Sequence, residues 1–66
     1  MRVTANGTAF EVDDRTTLAG FIRMRNLDPR YVVVERNGEA LARSEYDAVE
    51  LRDGDRLELV RAVAGG

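Results

Sequence analysis

The sequence predicts an α+β domain in which a single helix packs on one face of a mixed sheet of four or five strands. Three observations lead to this fold class. Apolar and polar residues alternate near both ends of the chain, two Asn-Gly pairs separate strand-like segments, and only one stretch has helical spacing. The 66 residues correspond to one domain. Because an amphipathic helix must bury its apolar face against a second layer, the strands are expected to form that layer.

A β-hairpin opens the chain. Apolar and polar residues alternate over residues 1–5 and again over residues 8–12. Between these segments lies Asn6-Gly7, a pair that strongly favours a two-residue turn because both positions need a positive φ. The first two strands are therefore predicted to be antiparallel neighbours.

The predicted helix runs from Leu18 to about Asn26. Thr17 is a suitable N-cap, because its hydroxyl can accept a hydrogen bond from an amide of the first turn. The pair Asp28-Pro29 is expected to end the helix, since the residue before a proline disfavours the α conformation. The apolar side chains that share one face at helical spacing are Leu18, Phe21 and Ile22.

Two strands and a short helical turn follow the helix. Residues 31–36 are rich in β-branched side chains and predict a strand, and Asn37-Gly38 then turns the chain into a short strand over residues 39–42. Residues 44–47 predict a short helical turn in which Tyr46 is the anchoring side chain. The sheet therefore gains a second antiparallel pair.

The last strand is predicted over residues 56–63, directly after the tight turn Asp53-Gly54-Asp55. Alternation along each strand assigns one set of side chains to the face under the helix. Together with the apolar face of the helix, the predicted core consists of Val3, Phe10, Leu18, Phe21, Ile22, Val32, Val34, Leu57 and Leu59.

This order of elements is that of a β-grasp, or ubiquitin-like, fold, provided that the last strand lies in parallel beside the first. The hairpin and the later strands then belong to one sheet that the helix covers. We expect a β-grasp domain over residues 1–62 and a flexible diglycine tail over residues 63–66.

Composition excludes several kinds of chemistry. The chain has no cysteine and no histidine, which excludes disulfides, Cys/His zinc sites and the usual nucleophile–histidine pairs. Every basic residue is an arginine, which does not deprotonate and cannot act as a base. We therefore expect a substrate or partner of enzymes rather than an enzyme.

Charge and hydropathy argue against nucleic acid and membranes as partners. Ten basic and twelve acidic residues are interspersed along the chain, whereas nucleic-acid binding needs clustered basic charge. No apolar run approaches the length of a membrane span. Because a strand-like pattern begins at Met1, no signal peptide is predicted, and the cytoplasm is the expected location.

Two close pairs of carboxylates, Asp13-Asp14 and Asp53 with Asp55, are the candidates for metal or acid–base chemistry. Aspartates in such positions are typical of turns and caps, and we favour that interpretation. A metal site formed by Asp53 and Asp55 is the weaker alternative.

A small apolar patch is predicted on the sheet face that points away from the helix. Single exposed apolar residues are normal, but here three predicted strands contribute to one face. We therefore hypothesise a docking surface for a partner protein, with Arg43, Arg56 and Arg61 at its rim. The patch consists of Ala9, Val33, Val60 and Ala62.

The sequence ends in Val63-Ala64-Gly65-Gly66. Two glycines remove both side chains, so this backbone can enter a slot too narrow for any other pair of residues. A terminal carboxylate is a weak electrophile until an ATP-dependent enzyme converts it to a mixed anhydride. The predicted strand that leads directly into the diglycine favours such a role over a frayed terminus.

These features together resemble the ubiquitin-like sulfur carriers, and most of all the ThiS family of thiamine biosynthesis. The resemblance covers essentially the whole chain. Its most specific part is the turn at residues 53–55, followed by the last strand and the diglycine. Ala42 is a departure, because the family often has proline there. The other matching motifs are Asn6-Gly7, Thr17-Leu18, Arg36-Asn37-Gly38-Glu39 and Arg43-Ser44-Glu45-Tyr46.

The resemblance implies a mechanism and a set of partners. An E1-like adenylating enzyme would use ATP to convert the Gly66 carboxylate to an acyl-adenylate, and a sulfur donor protein would replace AMP to form a thiocarboxylate. A thiazole synthase would then accept the sulfur, and the carrier itself would need no cofactor. The residues expected to contact partners are Val33, Val60, Ala62, Val63, Ala64 and Gly65.

Two alternatives stay open at this point. Sibling carriers that serve molybdopterin or cysteine synthesis also end in diglycine and share the Asp-Gly-Asp turn, although the segment from Asn37 to Tyr46 favours the thiamine carrier. A ubiquitin-like interaction domain without covalent chemistry is the second alternative. ATP-dependent modification of the terminus by an adenylating enzyme separates the carriers from such a domain.

Overall fold

A mixed five-stranded sheet carries one helix on a single face in the computed structural model, which describes residues 1–62. The predicted tail at residues 63–66 lies outside the described residues. The elements are β1 (Arg2–Ala5), β2 (Thr8–Glu11), α1 (Leu18–Met24), a 3₁₀ turn (Pro29–Tyr31), β3 (Val32–Arg36), β4 (Glu39–Ala40), a second 3₁₀ turn (Arg43–Glu45) and β5 (Arg56–Arg61).

The strand order is β2-β1-β5-β3-β4, so the last strand lies at the centre of the sheet. β5 pairs in parallel with β1 and antiparallel with β3. This parallel pairing of the first and last strands confirms the β-grasp arrangement. β5, the strand that precedes the tail, is therefore hydrogen-bonded to a neighbouring strand on each side.

Both Asn-Gly pairs form the predicted hairpin turns. The φ angles are +50° at Asn6 and +83° at Gly7, and they are +52° at Asn37 and +87° at Gly38. Two successive positive φ angles are what a type I′ turn requires. β4 is confined to Glu39–Ala40, so this strand is shorter than predicted.

The helix begins as predicted, with Thr17 as its N-cap. The Thr17 hydroxyl accepts a hydrogen bond from the Gly20 amide at 3.1 Å. A Cβ atom added at Gly20 would lie only 3.1 Å from the same hydroxyl oxygen. Glycine at this position therefore leaves room for the cap, which offsets its low helix propensity.

The helix ends at Met24 rather than near Asn26, because Asn26 adopts a left-handed conformation with φ of +61°. The Leu27 amide donates to the Ile22 carbonyl at 3.1 Å, and the Asn26 amide donates to a carbonyl of the last turn at 2.9 Å. Together these bonds form a Schellman motif. The prediction that Asp28-Pro29 ends the helix is therefore wrong, since these residues begin the first 3₁₀ turn instead.

The core lies between the helix and the sheet. The predicted anchor Tyr46 is buried, and its hydroxyl accepts from the Val34 amide at 3.2 Å and donates to the Val32 carbonyl at 3.0 Å. Phe10 and Leu59 pack against the core but are only half-buried, so the prediction that they are buried core residues is wrong. The other predicted core residues are buried, and they are joined by Ala5, Val12, Ala19 and Leu51.

Candidate functional site

The outer face of the sheet, opposite the helix, presents an apolar pair formed by Val33 and Val60. The two residues are cross-strand partners on β3 and β5. Val33 is 45% exposed and Val60 is 60% exposed. Their positions confirm the predicted phase of both strands, because the alternating residues Val34 and Leu57 are buried.

Ala62 extends the pairing of β5 with the β3 side of the sheet by one residue beyond the end of β5. Its amide donates to the Tyr31 carbonyl at 2.7 Å. It also lines a groove of about 460 Å³ at the C-terminal end of the helix, together with Leu27, Val32 and Arg61. The end of β5 is therefore accessible from both faces of the sheet.

Ala9 does not belong to the apolar patch, contrary to the sequence-based expectation. It pairs with Thr4, and Thr4 pairs with Arg56, so Ala9 is separated from β5 by β1. It also lies level with Arg56 rather than with Val60. The patch near the end of β5 thus comes from two strands rather than three.

The three arginines expected at the rim occupy different surroundings. Arg43 lines a groove with Arg23 and Tyr46 on the helix side of the sheet, so its assignment to the rim is wrong. Arg56 is on the outer face but lies at the opposite end of β5 from the apolar pair. Arg61 lies at the end of β5 beside the groove that Ala62 lines, but it is the cross-strand partner of the buried Val32 and so belongs to the helix side of the sheet, which makes its assignment to the rim wrong as well.

Asn6 binds the backbone of β5 through its side chain. Its Oδ1 atom accepts from the Leu59 amide at 2.9 Å, and its Nδ2 group donates to the Leu59 carbonyl at 3.1 Å. β1 ends at Ala5, so this side-chain amide takes the place of a further peptide group. The parallel pairing of β5 is therefore extended toward the tail.

Asn37 does the same at the other end of β5. Its Oδ1 atom accepts from the Arg56 amide at 2.9 Å, and its Nδ2 group donates to Asp55 at 3.1 Å. The sequence predicted only turns for both asparagines. A signal for these side-chain contacts was nevertheless present in the choice of residue. Glycine and aspartate also suit type I′ turns, but among these residues only asparagine has a side chain with both a donor and an acceptor.

The aspartates before β5 perform turn and cap chemistry, as the favoured interpretation held. Asp53 accepts from the Arg2 amide at 2.7 Å. Asp55 is 5% exposed and accepts from the Arg52 amide at 2.8 Å, from the Arg36 guanidinium at 3.0 Å and from Asn37. Within residues 1–62, no group of three or more potential metal ligands comes together.

The pKa of the Asp55 carboxyl lies below its ordinary value of 3.8. Burial raises this pKa, but the Arg52 amide, the Asn37 amide and the Arg36 guanidinium together outweigh that effect. Because the folded state lowers the pKa, the carboxylate stabilises the fold above the unfolded value. That stabilisation is lost as the pH falls through the folded value.

Replacing Asp55 with asparagine should therefore destabilise the domain by about 2–3 kcal/mol at neutral pH, since hydrogen bonds to a buried charge are lost. Urea unfolding at a series of pH values measures this. The difference from the unmodified protein should shrink as the pH falls through the folded pKa. Asp47→Asn is the matched control, because Asp47 is exposed and reaches Arg23 only at 3.9 Å. A deficit that stays constant into strong acid would contradict the assignment.

The predicted carrier residue Gly66 and its neighbours Val63, Ala64 and Gly65 lie outside the described residues. The structure therefore places Val33, Val60 and Ala62 near the start of the tail without describing the tail itself. Among the helices described within residues 1–62, none has the length and apolar character that a membrane crossing requires.

Comparison with known proteins identifies related sequences. The model of the ThiS family matches residues 2–66. The sulfur carrier protein ThiS of Bacillus subtilis is 38% identical over 53 residues, which is 80% of each chain. Thiazole synthases of Magnetococcus marinus and Paramagnetospirillum magneticum are each 35% identical over all 66 residues. The chain spans only about a fifth of the length of these two thiazole synthases.

Solved structures agree with the sequence relatives. The crystal structure of the thiamine biosynthesis protein (ThiS) from Geobacter metallireducens superimposes with a TM-score of 0.79 at 33% identity, and each chain is covered completely. The solution structure from the same organism has a TM-score of 0.76 and is covered over 88% of its length. The likeness therefore extends over the whole fold.

Proposed function

Because the chain belongs to the ThiS family, we propose that it carries sulfur for thiazole formation in thiamine biosynthesis. It is a sulfur carrier of β-grasp fold and not an enzyme. The observation that carries the proposal is the family match, which runs from β1 through Gly66 and so includes the diglycine.

The chemistry takes place at the Gly66 carboxylate. An E1-like adenylating enzyme joins this carboxylate to the α-phosphate of ATP and releases pyrophosphate. A sulfur donor protein then delivers sulfur at the oxidation level of sulfide, which attacks the acyl-adenylate carbonyl, displaces AMP and leaves a thiocarboxylate. Four extended residues after Ala62 span at most about 14 Å, enough to carry the terminus into a buried nucleotide site while the domain stays outside.

A thiazole synthase is the proposed sulfur acceptor. Two thiazole synthases contain a segment that resembles this chain over its full length, within a much longer polypeptide. A carrier segment in the same chain as its acceptor has a high effective concentration, which is the expected benefit of such an arrangement. This observation favours thiamine over molybdopterin or cysteine synthesis. We assign the steps to the cytoplasm, where ATP is available.

The proposal is tested by intact-mass spectrometry of the purified chain after incubation with the adenylating enzyme, ATP and a sulfur source. We expect the mass increase that results from replacing one oxygen by sulfur, and no increase when ATP is omitted. Labelled sulfur should then pass to the thiazole when thiazole synthase and its substrates are added. A terminus that ATP never modifies would indicate a non-covalent interaction domain, and transfer only to molybdopterin or cysteine would assign the sibling pathways.

The apolar pair Val33 and Val60 is the proposed centre of the surface that docks on the adenylating enzyme. Interface energy usually concentrates in a few central residues that lose their water on binding. Val60 is the more exposed of the two, and it lies two residues before Ala62 on the strand that leads into the tail. Contact at Val60 would therefore align Val63, Ala64 and Gly65 with the entrance of the active site.

Val60→Asp should weaken binding to the adenylating enzyme by about 2 kcal/mol or more, because an unpaired charge would be buried in an apolar contact. The free carrier should lose no more than about 1 kcal/mol of stability, as expected for an exposed strand position. Titration calorimetry and a thermal melt measure the two effects. Ala9→Asp is the matched control, since Ala9 lies on the edge strand β2. Equal affinity of both variants and the unmodified chain would place the docking surface elsewhere.

A further inference from the structure

Two glutamates face each other directly on the outer face of the sheet. Glu35 on β3 and Glu58 on β5 are cross-strand partners, and they form the pair next to Val33 and Val60. Both side chains are exposed. Like charges at directly opposite positions destabilise a sheet, because their Cβ atoms are only about 5 Å apart.

Some carboxylates among the described residues are compensated by ion pairs, and these two are not among them. Glu11, Asp28 and Asp55 each form an ion pair with an arginine at 2.8–3.0 Å. Among the described residues, neither Glu35 nor Glu58 forms an ion pair with any arginine.

One arginine is close to the two glutamates. Arg56 lines the same shallow groove of about 400 Å³, two residues before Glu58 on β5. It nevertheless forms no ion pair among the described residues. The isolated domain therefore keeps a repulsive pair of glutamates beside the exposed apolar pair Val33 and Val60.

We propose that Glu35 and Glu58 accept an arginine or lysine of the adenylating enzyme, placed between them, while an apolar surface of that enzyme covers Val33 and Val60. This inference rests on the proposed function and specifies the chemistry of the partner's surface. Two carboxylates at directly opposite positions match one cation, and an arginine can bind them through its several N–H groups at once. The acidic pair thus selects a basic partner, whereas the apolar pair supplies most of the affinity.

The structure predicts opposite effects on the free carrier and on the complex. Glu58→Gln or Glu35→Gln removes the repulsion, so the melting temperature of the free carrier should rise. The same substitution removes half of the cation's partners, so affinity for the adenylating enzyme should fall about two- to fivefold at low ionic strength. Most of that fall should be slower association, and its size should diminish as salt is added.

The control is Glu39→Gln, which removes one negative charge from the opposite face of the sheet. Glu39 lies on the edge strand β4, where it is the cross-strand partner of Arg36. Stopped-flow association at several salt concentrations, with thermal melts of the free variants, measures all the effects. An equal fall for Glu39→Gln would overturn the proposal, because net charge alone would then explain it.

The failure of this inference differs from the failure of the proposed function. If Val60→Asp weakens binding while both glutamine variants bind normally, the docking face stands and the acidic pair is not recognised. If the glutamine variants slow association only with thiazole synthase, the cation belongs to that enzyme and the proposal is wrong. If the unmodified chain never acquires a thiocarboxylate, the proposed function itself fails.

Discussion

One extra residue after Gly66 should abolish adenylation and leave the melting temperature of the carrier unchanged. The added residue moves the carboxylate about 3.5 Å along the extended chain. Misplacing a reacting group by about 1 Å can already cost about a hundredfold in rate. The domain itself should not respond, because the five strands and the buried core that the structure describes lie within residues 1–62.

Gly65→Leu should have a comparable effect for a different reason. The carboxylate keeps its position, but a branched side chain must enter a channel that is expected to admit only glycine backbone. ATP–pyrophosphate exchange measures adenylation directly, and a thermal melt checks the fold. Ala64→Ser is the matched control, since that position already carries a side chain. Full adenylation of either the extended chain or Gly65→Leu would contradict the assigned role of the diglycine.

Phe21→Ala should cost about 3–5 kcal/mol of folding free energy, because it removes the largest of the fully buried side chains within residues 1–62 and leaves a cavity in the core. The Phe21 ring also packs edge-on against Phe10, with ring centroids 5.6 Å apart. Small domains are stabilised by only about 0.05–0.15 kcal/mol per residue, so this one substitution removes a large share of the total.

Urea unfolding measures the loss, and Phe21→Leu provides a milder variant if the alanine variant does not fold. Met24→Ala is the matched control, since Met24 lies on the same helix but is 61% exposed. It should change stability by less than about 0.5 kcal/mol. An alanine variant at Phe21 as stable as the one at Met24 would show that the buried face of the helix has been misassigned.

Local features were predictable from the sequence where a few adjacent residues decide the geometry. Asn6-Gly7 and Asn37-Gly38 form type I′ turns because both residues of each pair tolerate positive φ. Thr17 caps the helix through a bond that reaches only three residues ahead. The end of the helix was missed although its signal is equally local, since Asn26 is a residue type that favours the left-handed cap.

Grouping on the surface was predictable only in part, because it depends on strand order and register. The period of two placed Val33 and Val60 on the outer face, and the pairing of β3 with β5 brought them together. The same period also placed Ala9 on that face, but β1 lies between it and β5. Arg43 lies in a loop, where alternation carries no information about the face of the sheet.

The sequence by itself determined the fold class and the faces of the strands, because these follow from the order and type of neighbouring residues. The tertiary structure alone decided how β5 is held. Asn6 and Leu59 are 53 residues apart in the chain, and Arg36 and Asp55 are 19 apart. It also decided that Glu35 faces Glu58. No local pattern specifies such pairs, because each exists only after the strands have assembled in register.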